Sequence, residues 1–191
     1  MPAADSPTVK TLTGPIACAA AAISLSWRKA ELGTLNGHAN ARSVARTLSA
    51  ISLGGGEVDG VRLLSQRTID MIIQEQANGV DMVLGVPLRF GIGYALPSPE
   101  STPPFLPKNA PRICIWGGWG GSLAVMDCDR RMTVSYMMNR MGPSVFGSDR
   151  SDARVRATYG ALASLLHLVR VGFRGFSAVS RDYWTWVLMK I

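Results

Sequence analysis

Histidine is almost missing from this chain: His38 and His167 are the only two in 191 residues. Two imidazoles with no ligand-spaced neighbours do not build a typical zinc site, so no metal or cofactor is expected. Cysteine is also scarce. Cys18, Cys114 and Cys128 are an odd set without metal-ligand spacing, and buried reduced thiols with a cytoplasmic location are expected. Lysine is rare, four residues against sixteen arginines, yet the net charge is +7 and the pI about 9.8. The arginines are scattered, with no run longer than Arg130-Arg131, and no nucleic-acid-binding motif accompanies them. They read as solvated or salt-bridging positions, and neither nucleic acid nor membrane is expected as a partner. Long apolar runs are lacking too. The longest candidate, Ile16 to Leu25, is too short to span a bilayer as a helix. Its positive residues, Arg28 and Lys29, follow it rather than precede it, which speaks for a buried helix or strand and against an export signal.

What is present is a globular composition, 47% hydrophobic, long enough for one domain with a real core. Residues 1–26 are poorly defined by pattern. Asn36 to Asn40 reads as a turn and cap before a helix in which Ala41, Val44, Ala45, Leu48 and Ile51 share a face, ended by Gly54-Gly55-Gly56. Val58-Asp59-Gly60-Val61 has the Asp-Gly signature of a tight hairpin. Ser65 caps a second helix, Gln66 to Gln74. Residues 76–88 read as a mixed loop, and Phe90 to Tyr94 as a strand whose Gly91 and Gly93 face is bare, so that a helix or loop can lie close. Six prolines between Pro97 and Pro111 mark an irregular segment. Strand-like runs follow at 112–115, 123–127 and 132–138, the last two joined as a hairpin. Ser151-Asp152 reads as the cap of a long helix with Val155, Tyr159, Leu162, Leu166 and Val169 on one face.

Between the first two of these strands lies Trp116-Gly117-Gly118-Trp119-Gly120-Gly121-Ser122. Glycine weakens a strand, so four of them call for either close approach of another group or a tight turn. With Arg89-Phe90-Gly91-Ile92-Gly93-Tyr94 upstream and Tyr136-Met137-Met138-Asn139-Arg140-Met141 downstream, this stretch resembles the serine β-lactamase-like family: class C-type β-lactamases, related esterases and fungal acyltransferases. The resemblance is to the C-terminal part of that family and runs from Trp27 to Tyr159. It implies an α+β, partial β-lactamase/transpeptidase-like fold with an antiparallel sheet of three to four strands packed with helices. The expected organisation is residues 1–26 as a separate N-terminal segment, 27–170 as the β-lactamase-like part, and 171–191 as a divergent tail.

The resemblance further implies that Trp116, Gly117 and Gly118 are the family's third motif on the substrate wall, and that the backbone N–H of Trp119 is an oxyanion donor. Trp116 stands where classical β-lactamases carry Lys, which favours neutral ester or acyl-thioester ligands over β-lactams. The alternative is that Trp116 and Trp119 only pack over the sheet. No catalytic residue is assigned. Ser26-Trp27-Arg28-Lys29 satisfies Ser-x-x-Lys literally, but it lies far closer to Trp116 than in the family, and no Tyr-x-Asn occurs. Two functions stay open: a hydrolase or acyltransferase fragment or pseudoenzyme with a small acyl or ester ligand, and a non-catalytic interaction protein that self-associates through an exposed sheet edge.

Overall fold

A computed structural model describes residues 3–14, 19–33, 37–108, 110–144 and 146–172, the last seven of these by their backbone alone. Cys18 and nearly all of the tail at 171–191 lie outside the described residues. The chain begins with helix α1 (Pro7–Thr13), a 3₁₀ turn (Ala19–Ile23) and helix α2 (Leu25–Lys29). The described end of the apolar run expected to be buried is not: Ile23 is 76% exposed and Leu25 66%. A one-turn 3₁₀ helix and a five-residue α-helix are too short to seat an apolar face on the sheet.

Helix α3 (Ala41–Ser52) starts at Asn40, whose Oδ1 accepts the Ser43 N–H at 2.9 Å. It ends where Gly54 takes a φ of +76° and donates to the Ile51 carbonyl, the left-handed stop that the glycine run provides. Strands β1 (Glu57–Val58) and β2 (Val61–Arg62) form the small hairpin around Asp59 and Gly60, both at positive φ. Helix α4 (Gln66–Ile72) is capped by Ser65, which accepts from the Thr68 N–H at 3.1 Å, and it buries Ile69 and Ile72.

The main sheet has six antiparallel strands in chain order: β3 (Ala77–Val80), β4 (Pro87–Phe90), β5 (Ala95–Leu96), β6 (Ile113–Gly117), β7 (Leu123–Asp127) and β8 (Met132–Tyr136). The expected three to four strands were too few. Residues 76–88 contain the β3–β4 hairpin rather than a loop, and β3 is exposed along its whole length. An exposed strand held by main-chain pairing leaves no apolar alternation to detect. The single strand expected over 90–94 is instead a turn between β4 and β5, in which the Gly91 N–H donates to the Tyr94 carbonyl at 2.9 Å. Of the two glycines expected to form a bare face, Gly91 has a neighbour against it, whereas Gly93, at a φ of +76°, has nothing within 4 Å. A Cβ on Gly91 would stand 1.8 Å from the Ile72 carbonyl oxygen, so the end of α4 lies directly against it.

The sheet separates two cores. On one side α3 and α4 cover Cys114, Ala124 and Met126 through Ile51, Ile69 and Ile72. On the other, Ile113, Ile115, Leu123, Val125 and Val134 pack with Phe105, Leu106 and Val155 of helix α5 (Asp149–Gly172). Strict alternation along β6 and β7 assigns each residue its side. Helix α5 starts earlier than expected. Ser148 and Ser151 form a reciprocal cap, with the Ser148 N–H donating to Ser151 Oγ at 2.7 Å and the Ser151 N–H to Ser148 Oγ at 3.3 Å. Asp127, fully buried, joins the layers. It accepts from the Tyr159 hydroxyl at 2.8 Å, the Arg130 guanidinium at 3.0 Å and the Arg130 N–H at 2.9 Å.

Candidate functional site

The end of β6 and the loop after it form one wall of a cleft of about 180 Å³, lined by Leu48, Tyr94, Trp116, Gly117, Gly118, Ser122, Leu123, Ala124 and Met137. Register explains the grouping. Trp116 pairs with Ala124, Gly117 with Leu123, and Ala124 in turn with Ser135 of β8, while Leu48 comes down from α3. Lys10, Arg28 and every other charged side chain are absent from this lining.

The four glycines divide into two kinds. A Cβ on Gly117 would meet Gly147 N at 3.1 Å, the Ser122 carbonyl at 3.2 Å and Phe146 Cα at 3.3 Å. Gly120 and Gly121 sit at φ of +98° and +105°, and a Cβ on Gly121 would be 2.8 Å from Ser148 Oγ. Gly117 and Gly121 are bare because residues 146–148 lie on them, and Gly120 because Met138 and Met141 do; Gly120 N–H to the Ser144 carbonyl and Gly142 N–H to the Gly120 carbonyl, both 2.9 Å, stitch the loop to the chain that follows β8. Gly118 differs. Its Cβ would meet nothing nearer than Ser122 Cβ at 4.0 Å, and its φ is outside the left-handed region. Internal packing accounts for three glycines and leaves Gly118 open to the cleft.

The loop is closed by Gly118 N–H donating to the Ser122 carbonyl at 2.9 Å and Gly121 N–H to the Gly118 carbonyl at 3.0 Å. The Trp119 N–H between them has no hydrogen-bond partner among the described residues. Trp119 is 53% exposed and, with both its side chain and its main chain, stands outside the cleft lining, whereas Trp116 lines it. The Trp116 ring is held between Phe90 and Phe146, with centroids at 5.4 and 5.8 Å.

Ser26 and Lys29 are not brought to this cleft. Both are exposed on α2, and Ser26 Oγ lies 3.3 Å from Ser24 Oγ. His38 is likewise exposed, with Nε2 at 3.2 Å from the Ala22 carbonyl. The lining residues missed by sequence reasoning are Leu48, Tyr94, Ser122, Leu123, Ala124 and Met137. Leu48 and Tyr94 carried a signal as apolar-face positions of a helix and a strand, but nothing local said that the two faces meet beside Gly118. Burial pushes the Tyr94 hydroxyl's pKa up, with Cys114 nearby adding to it. Burial also raises the thiols: Cys114, fully buried beside Cys128, is well above the ordinary range. Among the described residues no cluster of His, Cys, Asp and Glu is grouped to hold a metal ion, and no helix is long and apolar enough to cross a membrane.

Comparison with known proteins bears on the family and the fold. The beta-lactamase family model matches residues 1–159. The chain is 29% identical over 143 residues to the esterase/beta-lactamase LipL of Mycobacterium tuberculosis, a match over 74% of this chain and 29% of that protein. The crystal structure of a family VIII carboxylesterase superposes with a TM-score of 0.68 at 30% identity, over 78% of this chain and 39% of that one. A penicillin-binding protein homolog from Caulobacter crescentus gives 0.64 at 31% identity, over 72% and 36%. This chain belongs to the beta-lactamase family. It spans about 29% to 39% of the length of these relatives. The match also corrects the expected extent of the resemblance. It begins at residue 1 and takes in α1 and α2, so it is not confined to a C-terminal part. Those short helices carry neither glycine nor charge patterns of the kind that made the later motifs legible.

Proposed function

We propose that this chain binds a neutral ester or acyl group in the cleft beside β6 and directs the Trp119 N–H at its carbonyl oxygen. In this role Trp116, Gly117 and Gly118 are the sheet-side wall of a site of the serine hydrolase and acyltransferase type. The observation that carries the reading is the pairing of Gly118, bare for no internal reason, with the uncommitted Trp119 N–H beside it. A backbone amide fixed in place costs little reorganisation when it meets a developing oxyanion, and one such donor is worth about 3 kcal/mol in the transition state. The lining offers carbon, sulfur and hydroxyl groups and no cation, which suits a neutral ligand. The chain acts as a non-hydrolysing relative or as part of a larger catalytic unit, because neither a nucleophile with its base nor a Tyr-x-Asn element is supplied by the cleft lining.

Two measurements test this. Cyclopentanone, a neutral carbonyl probe, is expected to move the Trp119 amide resonance downfield in a saturable titration. A fluorophosphonate probe is expected not to label the protein, and p-nitrophenyl acetate not to turn over. Turnover that disappears in Ser26→Ala would overturn the assignment of no nucleophile. A flat titration at Trp119 would overturn the amide's role.

A second reading, a non-catalytic interaction module, is favoured by β8. It is the last strand of the sheet, and Met132-Thr133-Val134-Ser135-Tyr136 carries no Pro, Lys or other edge-blunting residue. A light-scattering mass near twice 20.5 kDa would support it, and a strict monomer across micromolar concentrations would dismiss it.

A further inference from the structure

Met137-Met138-Asn139-Arg140-Met141 sets three methionines close together just after β8, and only Met137 lines the cleft. The other two lie against the glycine loop. A Cβ on Gly120 would stand 3.0 Å from Met138 Cε, 3.0 Å from Met141 Cγ and 3.2 Å from Met141 Cα. Main chain ties the same segments together, through the Gly120 N–H on the Ser144 carbonyl and the Gly142 N–H on the Gly120 carbonyl. Met138 is half-buried, whereas Met141 is 38% exposed. Met71 and Met82 are the other exposed methionines among the described residues, and neither packs at Gly120. Met141 alone is open to solvent and in contact with the loop. Exposure lets an oxidant reach the sulfur, and the contact lets the loop feel the product.

We propose that Met141 is an oxidation site at which a hydroperoxide forms the sulfoxide and so displaces the loop that carries Gly120. The sulfur lone pair attacks the terminal peroxide oxygen, the O–O bond breaks and the S–O bond forms. The proton on the attacked oxygen passes to the leaving one, which departs as water or an alcohol. Sulfur is oxidised and the peroxide reduced, and a methionine sulfoxide reductase reverses the step. The thioether is apolar and adaptable, which suits the space beside a glycine held at a φ of +98°. The sulfoxide is polar and one oxygen larger, and that oxygen sits on the sulfur bonded to the Cγ that packs at Gly120. The inference stands apart from the acyl-site reading, because its effect is read in the loop and not in a ligand.

The test treats the full chain with graded hydrogen peroxide. Oxidation at each methionine is read by peptide mass spectrometry. The loop is read from the Gly120 and Gly121 amide resonances and from hydrogen exchange at Gly120, with the core amide of Val125 as reference. Met141 is expected to gain one oxygen ahead of the buried Met126 and the half-buried Met138. The Gly120 and Gly121 amides should then shift in proportion to that gain, and Gly120 should exchange faster while Val125 does not. Met141→Leu keeps an apolar side chain of similar volume without sulfur, and is expected to lose the response while Met82 still oxidises. Met141 that stays reduced when Met82 is fully oxidised overturns the site. Unchanged exchange at Gly120 in protein oxidised at Met141, or an equal response in Met141→Leu, overturns the displacement. Should Met141→Leu fold poorly, Met82→Leu replaces it in the same titration. An unchanged Gly120 response there supports Met141, and a lost one assigns the effect to Met82 and refutes the proposal. None of these readouts uses cyclopentanone, so a failure of the acyl-site reading leaves them unaffected.

Discussion

Replacing Gly117 and Gly118 one at a time by alanine separates glycine kept for the fold from glycine kept for a ligand. At Gly117 the new methyl would enter a gap bounded by three backbone atoms at 3.1 to 3.3 Å: Gly147 N, the Ser122 carbonyl and Phe146 Cα. Backbone cannot swing aside as a side-chain tip can, so the backbone at Phe146 and Gly147 must shift. Overpacking of this kind costs about 1–3 kcal/mol. For a chain of this length each kcal/mol moves the midpoint by about 2–4 °C, so Gly117→Ala should melt about 3–10 °C below wild type. At Gly118 the methyl meets nothing nearer than 4.0 Å. Removing a glycine from the unfolded chain then contributes about 0.4–1 kcal/mol of stability, and the midpoint should stay level or rise slightly. Gly118 lines the cleft, so on the proposed reading the same methyl takes up ligand space, and cyclopentanone binding should weaken about five-fold or more. Thermal melts and the Trp119 amide titration read both effects on the same samples. A Gly118→Ala protein that melts as low as Gly117→Ala, or that binds the ketone as wild type does, would refute the division between the two glycines.

The remaining expectations concern the packing that holds the wall in place. Tyr159 has its pKa raised, first by burial and then by the Asp127 carboxylate it bonds, and Cys114 is raised by burial and by Cys128. A raised folded pKa means full stabilisation below the unfolded value and loss as pH climbs toward the folded one. Stability should therefore fall from about pH 9 upward as thiols and phenols, ordinarily near 8.5 and 10, ionise preferentially in the unfolded chain. Tyr159→Phe should flatten the part above about pH 10, and an unchanged slope in melts taken from pH 7 to 11 would count against this. Ile113→Ala, at a site with no exposure, should cost about 2–5 kcal/mol in urea unfolding. Ser135 Oγ is a buried side-chain oxygen without a partner among the described residues, so Ser135→Ala should leave stability equal or raise it by about 1 kcal/mol. A clear loss there would reveal a bond to water.

Local chemistry was legible in the sequence wherever one residue type enforces one backbone geometry. Asn40 and Ser65 as caps, Asp59-Gly60 as a tight turn and Gly54 as a helix stop all act within a few residues, and each appears where its neighbours required. The strand-like character of β6 and β7 was legible as short apolar runs, but because both faces of these strands are buried the sequence did not say which residue faces which core. Beyond that range the sequence was silent. The exposed strand β3 has no side-chain signature, because its pairing with β4 runs through main-chain groups that every residue carries. The cleft needed the tertiary structure for a similar reason. Leu48, Tyr94, Gly118 and Met137 come from different elements and meet only when α3 lies on the sheet face beside the end of β6. Which of the four glycines serves the fold and which lines the cleft depended on where Met138, Met141 and residues 146–148 come to rest, contacts between chain segments distant in sequence that no local preference encodes.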